Sequence, residues 1–173
     1  MKNEIFVDSG EVAACKGHGV LQASAIGSCV VVAAYDPDCH VGGMAHVMLP
    51  GASRDQDPTG GTKYAEDAVQ EMMQKMANLG SKKANLCVCL IGGGNLIGKG
   101  HDSPGPETVR SLSEILQRMR IEPVSMEVGG RQRRSCTLDV DRGCVTCKVG
   151  DSAERKIWEY KASVPDSAGE YRD

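Results

Sequence analysis

SAIGSCVVVAAYDP, residues 24–37, sets a polar, glycine-broken corner in front of one of the most hydrophobic runs of the chain and places a cysteine at the junction. From Cys29 to Tyr35 every residue is apolar, so the run has no face to offer to water. Such a segment reads as a central strand covered on both sides, which calls for a sheet with a packed layer above and below it.

The flanking sequence supplies those layers. Short β-rich segments at residues 4–7, 20–24 and 41–49 are separated by Gly, Pro, Asp and Asn turn signals. Residues 51–61 (GASRDQDPTGG) read as a surface loop. Ala65, Ala68, Val69, Met72, Met73 and Met76 then recur at helical spacing until Gly80 stops them. A buried strand is predicted at 85–91, and a second helix opens at Pro106 with Val109, Leu112, Leu116 and Met119 on one face. Strands follow at 123–128, 134–140 and 144–149. The fold class is therefore α/β, a layered sandwich of mixed β-sheet carrying two long helices. One domain is expected over residues 1–150. Residues 151–173 read as a C-terminal extension, with a short helix at 153–161 holding Trp158 and a frayed last ten residues.

Composition narrows the function. The chain has 173 residues, enough for a core that buries roughly 70% of the unfolded surface without disulfides or metals. Its formal charge of −3 comes from well-mixed signs, with basic clusters only at Lys82–Lys83 and residues 131–134, which argues against a nucleic-acid partner. The opening MKNEIFVDSG lacks the pattern of an export signal, and no apolar run approaches the ~20 residues a bilayer requires. A cytoplasmic protein without membrane insertion is expected, and its eight cysteines then read as reduced thiols, mostly small buried hydrophobes.

One thiol has different surroundings. Gly27 and Ser28 precede Cys29, and His46 lies seventeen residues on inside the apolar strand GGMAHVMLP. A cysteine nucleophile needs a base and backbone N–H groups aimed at the developing oxyanion, and a glycine-bearing turn before a strand can bring both into reach. The residues alone leave two readings open: a core cysteine with a hydrogen-bonded strand histidine, or a reactive pair.

The competing motifs carry less. Cys144 and Cys147 form C-x-x-C, but residues i and i+3 of a strand face opposite ways and make a poor zinc or redox pair. Cys87 and Cys89 share a face but lack a second ligand pair. Cys15 and His18 frame a loop with no identifiable partner, and Cys39–His40 lies in a turn. GGNLIGKG, residues 93–100, matches G-x-x-x-x-G-K, yet Gly100 stands where a P-loop has Ser or Thr and the helix starts late, so a structural glycine loop bordering a site is the better reading. No metal and no cofactor is expected.

Taken together, GSCV at 27–30, YDP at 35–37, GGMAHVMLP at 42–50, the helix led by Tyr64, IGGGN at 91–95 with IG at 97–98, and GG-x-x-x-R at 129–134 closing on a Gly-x-Val turn at 143–145 resemble the chemoreceptor glutamine deamidase family, CheD. The resemblance covers approximately residues 1–149. It implies a layered α/β fold and a cytoplasmic hydrolase that converts receptor glutamine side chains to glutamate. Residue by residue, it implies Cys29 as nucleophile, His46 as base, and the backbone at Gly27 and Ser28 as the oxyanion site. The family's threonine six residues before the cysteine falls on Ala23, so the hydroxyl that orients His46 is either missing or shifted by one to Ser24, which can substitute only where a bulge or kink at Ala25 and Gly27 turns it inward. The implied partners are chemoreceptor cytoplasmic domains and a CheC-type phosphatase. A second class stays open, a CheD-like protein that binds receptors or the phosphatase with weak or no turnover.

Overall fold

A computed structural model describes residues 1–54, 61–97 and 103–162. Within them the chain forms strands β1 (Asn3–Phe6), β2 (Val12–Lys16), β3 (Gly19–Ile26), β4 (Val30–Asp36) and β5 (Val41–Val47), helix α1 (Ala65–Asn78), strand β6 (Cys87–Gly92), helix α2 (Pro104–Arg118), and strands β7 (Ser125–Val128), β8 (Arg134–Asp139), β9 (Cys144–Val149) and β10 (Arg155–Glu159). The strands make two mixed five-stranded sheets, ordered β1-β3-β8-β9-β10 and β2-β5-β4-β6-β7.

Strand β4 is the centre of the second sheet and is buried along its whole length. Period-2 alternation divides its residues between two cores. Val30, Val32 and Ala34 pack with Ala68, Met72 and Met76 of α1 and Leu112 and Leu116 of α2. Val31, Ala33 and Tyr35 pack with Leu21, Ile26, Leu138 and Val145 of the first sheet. The molecule is therefore three layers, sheet on sheet with both helices on the outer face, as the doubly apolar run required. The neighbouring strand β5 shares this division. A Cβ at Gly43 would collide with Met72 and Met76, so the missing side chain lets α1 settle on the sheet.

Both helices form where the apolar spacing placed them. In α1, Ala65, Ala68, Val69, Met72 and Met76 are buried. Helix α2 starts two residues earlier than expected, because Ser103 caps it and Pro104 occupies its first turn, where a missing N–H costs nothing.

Two elements correct the sequence reading. Strand β2 has no signal in the sequence pattern; Val12–Lys16 is a half-exposed segment whose strand character comes from antiparallel pairing with β5. The short helix expected at 153–161 is instead strand β10, paired antiparallel with the otherwise open edge of β9 and bulged between Lys156 and Trp158. Trp158 lies edge-on to Tyr35 of β4, with ring centroids 6.2 Å apart, so this segment closes the end of the inter-sheet core. The last ten residues, residues 55–60 of the surface loop and residues 98–100 of the glycine motif lie outside the described residues.

We predict that Trp158→Ala costs about 1–3 kcal/mol, because it removes a half-buried ring and an edge-on aromatic contact. Urea unfolding measures this as a lowered midpoint; an unchanged midpoint would show that β10 adds nothing to the core.

Candidate active site

Cys29 sits at the mouth of β4, half-buried, and His46 lies on β5, 1% exposed. In the antiparallel ladder Val31 stands opposite His46. Cys29 is two residues before Val31, so its side chain leaves the same face of the sheet, diagonal to the imidazole. Diagonal neighbours have Cβ atoms about 7 Å apart, within reach of a thiol and a ring. The two residues the sequence singled out are thus brought to one end of one strand pair.

The turn that presents Cys29 is built by backbone. Strand β3 ends in a bulge, where the register slips between Ala23 and Ile26 and Ala25 adopts φ 53°. The glycine loop after β6 then closes on the turn: Gly93 N–H donates to the Cys29 carbonyl at 2.7 Å and Gly94 N–H to the Gly27 carbonyl at 2.9 Å. Gly92 holds φ 116°, and a Cβ there would run into the Cys29 carbonyl, so this position demands glycine. The glycine-rich stretch is thus a structural brace beside the thiol, in line with its reading from sequence. In a trans peptide C=O and N–H point in opposite directions. With the Gly27 carbonyl turned to the glycine loop, the Ser28 N–H is turned away from it.

His46 is held in one protonation state. Its Nδ1 is 3.0 Å from the Val7 carbonyl oxygen. A carbonyl can only accept, so Nδ1 carries the proton and Nε2 keeps its lone pair. Nε2 is buried and has no hydrogen-bond partner among the described residues. Burial pulls the imidazole pKa below its ordinary value, against the opposing influence of the Val7 bond and of Asp8 and Glu11. A neutral, Nδ1-protonated imidazole is the form of a base.

The loop from Val7 to Glu11 makes most of these contacts. Gly10 N–H donates to the His46 carbonyl at 2.7 Å, and His46 N–H donates to the Glu11 carbonyl at 3.0 Å. Between them, Ser9 Oγ lies 3.9 Å from Cys29 Sγ. Sequence reasoning missed this loop. Its one local signal was the turn-forming Asp8-Ser9-Gly10 after a strand; nothing in the spacing connects residue 9 to residue 29.

Of the two alternatives for the family's threonine, an inward-turned Ser24 is the one the backbone does not adopt. The bulge leaves Ser24 exposed and keeps Ala23 facing the inter-sheet core, opposite Cys136 of β8. The group on His46 Nδ1 is the Val7 carbonyl.

The remaining thiols and histidines are occupied structurally. Burial pushes up the pKa of Cys15, Cys39, Cys87, Cys136, Cys144 and Cys147, and that of Cys89 to about 12. Cys147 faces Cys136 inside the inter-sheet core, whereas Cys144 pairs with Asp139. His40 Nδ1 contacts the Tyr35 hydroxyl at 3.1 Å and His18 Nδ1 contacts Asp141 at 3.0 Å. His101 and Lys99 lie outside the described residues.

These features define a class: a sheet-on-sheet α/β protein that sets a thiol and a neutral imidazole diagonally on one sheet face at the end of a central strand pair. A model of the CheD family, described as CheD chemotactic sensory transduction, matches residues 48–149, more than half of the chain. A "probable chemoreceptor glutamine deamidase CheD" of Chlorobium luteolum is 35% identical over 156 residues, covering 90% of this chain and 78% of that protein. The chemoreceptor glutamine deamidase CheD of Thermotoga maritima is 32% identical over 87% of this chain and 95% of its own length. A further relative, from Pyrococcus abyssi, is 30% identical over 91% of this chain and its own full length. The chain belongs to the CheD family. At 90% coverage the stretch aligned with the Chlorobium protein includes both Cys29 and His46, which precede the residues matched by the family model.

The depressed pKa of His46 has a signed consequence for stability. The unfolded histidine takes up a proton near pH 6.5, whereas the folded one resists it to lower pH. Its contribution is complete above pH 6.5 and is lost as pH falls through the folded-state value. We predict that the urea midpoint of the wild type drops more between pH 7.5 and 5.5 than that of His46→Gln. Equal drops would show that His46 is not held neutral by the fold.

Proposed function

We propose that the chain is a protein-glutamine deamidase that acts on the cytoplasmic glutamine side chains of chemoreceptors, with Cys29 as nucleophile and His46 as general base and acid. The observation that carries this reading is the buried, unpartnered lone pair of His46 Nε2 on the same sheet face as a half-buried thiol. The names of the relatives supply the reaction and its substrate class.

The chemistry follows from the protonation states. His46 Nε2 takes the thiol proton, and the sulfur attacks the side-chain amide carbon to give a tetrahedral oxyanion. The Ser28 N–H, turned away from the glycine loop, and the neighbouring backbone at Gly27 are the donors for that oxygen. Imidazolium then returns the proton to the nitrogen, the C–N bond breaks, and ammonia leaves. Water, deprotonated by the regenerated imidazole, adds to the thioester. The C–S bond breaks with its electron pair on sulfur, the thiol is restored, and the net change is amide plus water to acid plus ammonia.

A protein substrate suits the surroundings. Phe6, which is 64% exposed, precedes Val7, and Leu96 lies over Gly27 with Ile97, 86% exposed, beside it. Exposed apolar side chains at a site mark a surface that receives another protein. All eight thiols are free, which fits a reducing cytoplasm. Among the described residues no helix is long and apolar enough to cross a membrane.

A second reading rests on Ala23. With no hydroxyl at that buried position, the chain would serve mainly as a binding protein for receptors or a CheC-type phosphatase, with weak turnover. Mass spectrometry of a receptor cytoplasmic fragment separates the two. We predict amide-to-acid conversion at discrete glutamines with the wild type, and a loss of at least about 100-fold with His46→Ala or Cys29→Ala. Binding of the fragment without any conversion would favour the second reading. Conversion by a folded Cys29→Ala protein would remove the thiol from the mechanism.

A further inference from the structure

We propose that Ser9 is a third member of the reactive group, its hydroxyl donating to the sulfur of Cys29 whenever that sulfur is anionic. The inference rests on the reading of Cys29 as the nucleophile.

Three observations carry it. Ser9 Oγ lies 3.9 Å from Cys29 Sγ, the distance of an O–H···S contact across twenty residues of sequence. Ser9 is exposed, so core packing does not hold its side chain there; the order comes from the backbone around it. Val7 N–H donates to the Gln22 carbonyl at 2.8 Å, and the Val7 carbonyl is fixed on His46 Nδ1 at 3.0 Å. Asp8 N–H donates to a Glu11 carboxylate oxygen at 3.0 Å, Glu11 N–H to the Asp8 carbonyl at 2.9 Å, and Thr62 Oγ1 to the Gly10 carbonyl. The loop that fixes the base therefore also fixes a hydroxyl on the nucleophile. Third, Ala23 and exposed Ser24 leave Ser9 as the hydroxyl the structure sets against this thiol.

The role follows from where negative charge appears. Sulfur is anionic when it attacks and again when it leaves the second tetrahedral intermediate with the C–S electron pair, but not in the thioester between. A donor at Sγ strengthens in the two anionic states, since hydrogen bonds to charged acceptors are the stronger ones.

Iodoacetamide alkylation of the full chain, read by peptide mapping, reports on the sulfur independently of deamidation. With the wild type, Cys29 is expected to alkylate faster than Cys89. Ser9→Ala should slow Cys29 alkylation at pH 7 by about three- to tenfold, the weight of one hydrogen bond, and move its pH profile upward. Ser9→Thr, which keeps the hydroxyl, should restore both, and deamidation of a receptor fragment should follow the same order. An unchanged rate and profile in Ser9→Ala, with Cys29 still the fastest thiol, overturns the role of Ser9 alone. A wild type in which Cys89 outpaces Cys29 overturns the nucleophile assignment and the inference with it.

Discussion

The hydrogen bond from His46 Nδ1 to the Val7 carbonyl decides what the site can do. Were that proton on Nε2, the imidazole would present a donor to the thiol and could not take its proton. Because a backbone carbonyl is the partner, the tautomer does not depend on the ionisation of any side chain. Burial then favours the neutral ring, so Nε2 keeps its lone pair without a carboxylate beneath the imidazole. The cost is a buried lone pair with no partner among the described residues, a free-energy penalty on the order of 1–3 kcal/mol. Such a penalty persists at a functional site because the surrounding packing supports it.

That support is the central strand pair and what grips its end. Strand β4 is buried on both faces, so neither it nor β5 can shift without opening two cores at once. At the mouth of the pair, the glycine loop holds the carbonyls of Gly27 and Cys29 from one side, and the loop from Val7 to Glu11 holds His46 from the other. Cys29, half-buried at the end of a rigid strand, is positioned by the backbone bonds of its own turn, which is why Gly92 is required beside it.

Much of this was legible in the sequence. A run apolar at every position could only be a doubly covered strand, and the helical spacings of α1 and α2 fixed what covered one face. Cys29 stands out because a glycine-bearing turn sets it at the start of an apolar strand, and His46 because it interrupts one with a group capable of chemistry. The misses share a physical cause: each depends on contacts distant in sequence. Val12–Lys16 and Arg155–Glu159 are edge strands whose conformation is imposed by the strand they pair with. The sequence leaves the hydroxyl either missing at Ala23 or supplied by Ser24 through an inward bulge, and only the pairing decides: the bulge exists, but it leaves Ser24 exposed and Ala23 facing the core. The contact of Ser9 with Cys29 and that of Val7 with His46 arise only when a loop folds over a strand end, and no spacing rule encodes them.

Nitrogen-15 NMR of the histidine side chains reads the state of the His46 ring directly. In wild-type protein at pH 7, His46 is expected to be neutral with its proton on Nδ1 and an unprotonated Nε2. A His46 resonance showing the Nε2-protonated tautomer, or an imidazolium at that pH, would contradict it.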